Sequence, residues 1–187
     1  MVIGFISDTH GDLAGWQEAM AGPFAEADLI IHCGDLLYHG PRNPMPKGYD
    51  PAALAEAMNA SPAPLLIARG NCDSDVDQLA LDYPIQAPYV FAQVEGLRIL
   101  AGHAEDLDLD KIAGLGARYR VDIFAFGHIH TPVLERRGEV TLLEPGSPAL
   151  PKGEPTVAVL DGRVLRIVRL PDGEILNEAM ITPRCAR

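Results

Sequence analysis

The stretch Val2-Ile3-Gly4-Phe5-Ile6-Ser7-Asp8-Thr9-His10 is a short, nearly continuous apolar run that ends in two residues able to bind a cation. A run of this length and composition reads as a strand buried on both faces, as in a parallel sheet. The pattern returns along the chain. Leu29-Ile30-Ile31-His32 leads into Cys33-Gly34-Asp35, and Leu65 to Ala68 leads into Arg69-Gly70-Asn71. Leu97 to Ala101 runs into Gly102-His103, and Asp122 to Phe126 into Gly127-His128-Ile129-His130. In open α/β sheets ligands bind beyond the carboxyl ends of the strands, which is where these polar residues fall.

Between the strands the sequence changes period. Asp12 is a plausible N-cap for a helix with Leu13, Trp16 and Met20 on one face, and Trp16 and Met20 read as core. Asp50-Pro51 sets an N-cap and first-turn proline for a second helix through Leu54 and Met58. The Pro/Gly-rich segment from Tyr38 to Tyr49 is too long for a simple connector and is a candidate functional loop. The first half is therefore βαβαβ. In the second half a hairpin is expected over Tyr89–Val94 and Leu97–Ala101, turning at Glu95-Gly96, then a helix over Leu107–Tyr119. Val133–Arg136, Val140–Leu143, Thr156–Leu160 and Val164–Leu170 read as further strands, making this half largely antiparallel. Burying both sets of strands calls for an α/β (α+β) fold. The expected architecture is a two-sheet β-sandwich flanked by helices, four layers in all, with residues 1–187 forming one domain.

Composition narrows the function. With 48% apolar residues and a net charge of −11, the chain reads as globular and acidic. Such a surface repels nucleic-acid backbones, and no Lys/Arg cluster offsets it. No apolar run is long enough to span a membrane, and the N-terminus lacks the basic flank of a signal peptide. Three widely spaced cysteines, Cys33, Cys72 and Cys185, argue against a disulfide framework and for a reducing cytoplasm. A homo-oligomer is compatible with all of this.

Asp8, His10, Asp35, Asn71, His103, His128 and His130 together offer seven oxygen and imidazole donors. Seven overfill one cation but serve two adjacent divalent cations if a carboxylate bridges them. The ordered set Asp-x-His, Gly-Asp, Gly-Asn, a lone His and Gly-His-x-His resembles the calcineurin-like metallophosphoesterase superfamily over Val2 to about Lys152. Gly34 to Asn43, Pro46 to Tyr49 and Arg69 to Gln78 resemble a narrower group, the bacterial YfcE-type phosphodiesterases. The resemblance implies Asp8, His10 and His130 on one metal, Asn71, His103 and His128 on the other, and Asp35 bridging both. It implies two divalent ions, Mn2+ by preference with Fe or Zn as alternatives, sharing a hydroxide that attacks a small soluble phosphodiester. Asp35, Asn71 and His128 would then be catalytic.

Several residues qualify that reading. The family usually has His-Gly-His where this chain has His103-Ala104-Glu105, and Asn-Pro-Gly-Ser where it has Glu144-Pro145-Gly146-Ser147. Arg42 could bind phosphate oxygens in bidentate fashion and His39 could approach the site, or both could pin their loop. His32, inside a strand, reads as a hydrogen-bonded core histidine. Many superfamily members carry a leaving-group acid, a histidine, where this chain has Cys72; a cysteine that merely packs is the simpler reading. Two other functions fit the same motifs: a phosphomonoesterase, and a catalytically silent scaffold like the retromer subunit that resembles this fold.

Overall fold

A computed structural model of the protein describes residues 1–184, so Cys185 lies outside the described residues. The first half folds as β1 (Val2–Ile6), α1 (Leu13–Ala21), β2 (Leu29–His32), α2 (Pro51–Asn59), β3 (Leu65–Ala68), α3 (Asp75–Ala80) and β4 (Ile85–Gln86). The second half adds β5 (Val90–Val94), β6 (Leu97–Ala101), α4 (Leu109–Arg118), β7 (Ile123–Ala125), β8 (Val133–Arg137) and β9 (Val140–Glu144). It closes with β10 (Thr156–Asp161), β11 (Val164–Arg169) and β12 (Ile175–Met180). Asp12, Asp50 and Asp108 cap α1, α2 and α4, each carboxylate accepting from a backbone N–H three residues on.

Two mixed sheets result. One runs β12-β11-β10-β1-β2-β3-β4 and the other β5-β6-β7-β9-β8. Alternation along the central strands supplies three apolar layers. Phe5, Ile31, Ile99, Ile123 and Leu143 face each other between the sheets. Ile6, Ile30 and Ile67 point outward to Trp16, Leu54 and Met58 of the first two helices, while Phe124 and Leu142 pack on Ile112 of α4. Helix, sheet, sheet, helix is the four-layer α/β sandwich that the sequence predicts.

The second half differs from expectation in one respect. β6 and β7, and β7 and β9, are parallel rather than antiparallel. α4 is the crossover that parallel pairing of β6 with β7 needs. Three elements were not anticipated. α3 buries no residue, so it carries no apolar stripe, and its signal is the Ser74/Asp77 capping box. β4 has two residues, and β12 is almost wholly exposed.

The consequence for function is geometric. Parallel strands β1, β2 and β3 of one sheet, and β6, β7 and β9 of the other, end at the same edge of the sandwich. Six strand ends therefore present their loops to one another.

Candidate metal centre

Each of these loops departs sharply from its strand. Asp8, His10, Asp35, His128 and His130 all have positive φ, between 44° and 79°. A left-handed conformation costs an L-residue about 1–2 kcal/mol, and such strain gathers at functional sites. Cross-loop hydrogen bonds hold it: Asp8 N donates to Gly34 O at 3.0 Å, His10 N to Asp35 O at 3.0 Å, and Gly11 N to Leu36 O at 2.8 Å. Ala104 also sits at φ 63°, so the loop after His103 keeps a glycine-like shape without glycine. At Gly70 a side chain is excluded outright, because a Cβ would collide with Asp35 Oδ1.

The structure brings the seven candidate donors together. Asp8, His10 and His130 form one group whose donor atoms lie within 4.8 Å of each other, and Asp8, Asp35 and His103 form another. Asp35 Oδ2 stands 3.7 Å from His10 Nε2 and 3.3 Å from His103 Nε2, between the two sets. Asp8 is nearly as central, with Oδ1 3.0 Å from His130 Nε2 and 3.9 Å from His103 Nε2. Asn71 Oδ1 meets His128 Nδ1 at 3.0 Å, and the His128 ring lies edge-on to His103 at 5.2 Å.

Each donor is oriented from behind. Asp8 Oδ2 accepts from Ser7 Oγ at 2.6 Å and from His128 N at 3.0 Å, which turns Oδ1 inward. The Nδ1 atoms of His10, His103 and His130 meet the carbonyls of Tyr38, Cys33 and Leu150 at 2.9, 3.0 and 2.8 Å. Each ring thus aims Nε2 at the centre, the usual arrangement for a metal-binding histidine. Asp73 is a further support that no sequence motif marks. Its carboxylate accepts from Asp35 N, Leu36 N and Gly70 N at 3.0, 2.7 and 2.7 Å, tying the second donor loop to the third. Ser147, from the β9 loop, donates to Asp8 O at 2.8 Å. The Pro145-Gly146 turn, by contrast, marks the loop of Ser147 as a support.

Electrostatics favour a cation here. Burial works to raise Asp8, but contact with His10 and His130 and the charge of His103 outweigh it, holding its carboxyl well below the usual range. Burial works to lower His103, yet Asp35 and Asp8 lift it to about 9. The carboxylates draw positive charge to Nε2, the atom a metal would take. Asp8 Oδ1 and His103 Nε2 are buried and make no hydrogen bond of good geometry, a cost of about 1–3 kcal/mol per group that a cation would remove. The residues present therefore fit divalent metal.

The remaining candidates separate. Arg42 lines a cavity of ≈560 Å³ that opens over Asp35, Asn71, His128 and His130. His39 is not among the lining residues; its ring packs against Tyr38 and Tyr49, and its backbone oxygen accepts from Asn43 Nδ2. Cys72 is half-buried on the cavity wall, and its sulfur joins His10 and Asp35 in a third donor group. It borders the site rather than the core. His32 is fully buried and engaged, Nδ1 accepting from Gly34 N at 3.1 Å and Nε2 meeting Thr9 Oγ1 at 3.0 Å. Glu144 is fully buried at the end of β9, where burial, then Asp8, pushes its carboxyl up to about 9.

A sandwich of two mixed sheets with clustered Asp, Asn and His at the facing strand ends defines a metallophosphoesterase fold. Residues 1–163 match the calcineurin-like phosphoesterase superfamily domain, and the chain belongs to that superfamily. Its relatives include phosphodiesterase YfcE of Escherichia coli, 37% identical over 187 residues, spanning 98% of this chain and 100% of that one. The solved structure of the E. coli phosphoesterase Yfce superposes with a TM-score of 0.86 at 34% identity, covering 97% of this chain and 100% of that one. A probable metallophosphoesterase of Methanothermobacter thermautotrophicus is 32% identical over 95% of this chain and 92% of its own. Vacuolar protein sorting 29 from Cryptosporidium parvum shares the fold at a TM-score of 0.66 and 20% identity, over 96% and 95% of the two chains.

Proposed function

We propose that this chain is a metal-dependent phosphodiesterase that hydrolyses small soluble phosphodiesters, its residues 1–187 acting as one domain. The observation that carries the reading is the convergence of Asp8 Oδ1 and His103 Nε2, both buried without good hydrogen bonds, with the donor atoms of His10, Asp35 and His130. Asp8, His10 and His130 would hold one divalent ion, Asn71, His103 and His128 a second, and Asp35, whose oxygen stands between His10 and His103, would touch both. Bound there, two divalent ions supply Lewis acidity to a phosphoryl oxygen and activate water at neutral pH. Asn71 contributes a neutral carbonyl, which leaves more positive charge at its metal than a carboxylate would. The mixed N/O donors suit Mn2+, with Fe or Zn as alternatives.

The environment fits a small-molecule substrate. A cavity of ≈560 Å³ is the size of a small-ligand site. The net charge of −11 disfavours nucleic acid, and no helix among the described residues is long and apolar enough to cross a membrane. Cys33 and Cys72 are both free thiols, in keeping with a reducing compartment such as the cytoplasm.

The decisive experiment strips the purified protein of metal, reloads it with Mn2+, Fe2+ or Zn2+ in turn, and measures bound metal and turnover of aryl diesters and aryl monoesters. About two equivalents of metal, and faster diester than monoester hydrolysis, are expected. Monoester preference would replace the diesterase reading with a phosphomonoesterase. Metal binding without turnover of either ester would make the chain a silent scaffold.

A further inference from the structure

Two cavities meet at Asn71, and their charges differ. The ≈560 Å³ cavity carries Arg42 and Lys152 on its wall. The neighbouring cavity of ≈500 Å³ is lined by Asp73, Glu105 and Asp106, with Arg69 and the donor His103 as its basic residues. Arg69 is already engaged, with Asp75 at 3.3 Å and the Asp73 carbonyl at 3.1 Å. Arg42 and Lys152 are not: neither side chain makes an ion pair or hydrogen bond among the described residues. By contrast Arg69, Lys111, Arg137, Arg166, Arg169 and Arg184 each face a carboxylate at 3.5 Å or less. Lys47, Arg98, Arg118 and Arg120 also face no carboxylate among the described residues, but of the chain's lysines and arginines only Arg42 and Lys152 line the cavity over the donors.

Both cations ride on segments fastened to the donor cluster. The Arg42 loop is anchored where Tyr38 O meets His10 Nδ1 at 2.9 Å. The Lys152 segment is anchored twice, by Leu150 O to His130 Nδ1 at 2.8 Å and by Lys152 N to His130 O at 3.0 Å. Both cations therefore border the cavity that opens over the donors. Both side chains are exposed rather than sunk among the donors, and the cavity is far larger than one phosphoryl group. A diester carries a single negative charge at the reacting phosphorus, and the two divalent ions of the proposed centre would already meet it.

Resting on the phosphodiesterase reading, we infer that Arg42 and Lys152 bind a second anionic group, a phosphate or a carboxylate, borne by one alcohol of the substrate. Guanidinium can grip an oxyanion with two parallel N–H donors and lysine adds a point charge, the pairing used for such groups elsewhere.

The test uses the full chain loaded with Mn2+ and three diesters sharing the 4-nitrophenolate leaving group, their second arm being methyl, 2-carboxyethyl or 2-phosphoethyl. One or both charged diesters should show kcat/KM at least tenfold above the methyl diester, and the better one names the group. Lys152→Met and Arg42→Met should each cut that preference about tenfold, with Lys152→Arg restoring most of it. Equal losses on all three diesters would put the cations on the reacting phosphoryl and overturn the inference, as would absence of a preference in the parent protein. A second readout is independent of turnover: calorimetry with methylphosphonate monoesters bearing a 2-carboxyethyl, 2-phosphoethyl or ethyl arm. If no diester turns over, the phosphodiesterase reading falls, and the inference is then judged on binding. Tighter binding of a charged arm, lost in the Arg42→Met/Lys152→Met double variant, upholds the cation site; equal binding of all three arms overturns it.

Discussion

The donor loops and the cavity wall above them are built by opposite rules. Asp8, His10, Asp35 and His103 are buried, and the first three are held in left-handed backbone by bonds from one loop to the next. Arg42, Lys152 and Asn43 on the wall belong to segments with no regular structure, and both cations are exposed. Strain with cross-bracing fixes a small set of atoms to within tenths of an ångström, which metal chemistry requires. An open wall with unpaired charge leaves room for substrate to decide the contacts. The contrast teaches that chemistry and specificity occupy separate parts of this fold, and that each can be perturbed alone.

The largest effect should come from the most central donor. Asp35→Asn removes a charge from the oxygen placed between His10 and His103. Turnover should fall on the order of 10³-fold, about 4 kcal/mol of transition-state stabilisation. Near-parent turnover with two metals bound would show that Asp35 does not bridge. His103→Ala comes next. It should lower the occupancy of one metal, measured by elemental analysis, with activity down roughly 100-fold and circular dichroism unchanged. Unaltered stoichiometry would remove His103 from the centre and turn attention to Glu105.

Bracing should matter less than ligation, though still measurably. Asp73→Asn offers an amide where the carboxylate accepts three backbone N–H groups, so one donor is left facing another. The loss should be about 1–3 kcal/mol of stability and 10- to 100-fold in metal affinity. Unchanged metal affinity would mean that the two loops hold their shape without this hub.

These braces explain which parts of the molecule were legible in the sequence. Strand ends and donors could be read because apolar runs and chemically special residues leave local marks; β2 and β3 begin and end where Leu29–His32 and Leu65–Ala68 imply. Asp73 could not, since its role is a contact across 38 residues of chain, and the Pro145-Gly146 turn marks a supporting loop at Ser147 without naming its partner 139 residues away. The parallel pairing of β7 with β9 is likewise a tertiary choice that no local pattern encodes. α3 and β12 escaped because neither buries an apolar face, and periodicity reports burial. Lys152 escaped because an exposed lysine carries no mark until the fold sets it beside His130.

A smaller effect tests the rigidity of the bracing through pH. Gly34 N donates to His32 Nδ1, so the ring proton must sit on Nε2 facing Thr9 Oγ1, whose hydroxyl donates onward to Leu36 O at 2.9 Å. A second proton has no acceptor, and burial drives the pKa down to about 3. The unfolded chain binds that proton near pH 6.5. Stability from His32 is therefore complete above about pH 6.5 and is lost as pH falls toward 3, by at most about 1.4 kcal/mol per unit. Near pH 5 the metal-free protein should have lost roughly 2 kcal/mol to this group. Urea midpoints at pH 5 and 7.5 should show a smaller difference in His32→Gln than in the parent. Equal differences would mean that the ring is protonated without cost.

The smallest expected change lies at the seam between brace and wall, at Cys72. Its sulfur is reached by Asn71 Nδ2 at 3.4 Å and borders the cavity beside His10 and Asp35. In the metal-free protein burial first, then Asp35, pushes the thiol up to about 12, while bound cations would draw it toward thiolate, and neither form is a ready proton donor at neutral pH. An alcohol must then leave with little help, so rates should depend steeply on leaving-group pKa, with aryl diesters reacting well and alkyl diesters poorly. Cys72→Ala should alter aryl-diester turnover by no more than about threefold, the scale of about 0.7 kcal/mol. Cys72→His places an imidazole with an ordinary pKa near 6.5 beside the leaving oxygen, and it should help alkyl leaving groups more than aryl ones, flattening the dependence. Two outcomes would reassign the residue. A large loss in Cys72→Ala with metal content unchanged would make the thiol part of the chemistry. The same loss with metal content lowered would make Cys72 a ligand, completing the donor group it forms with His10 and Asp35.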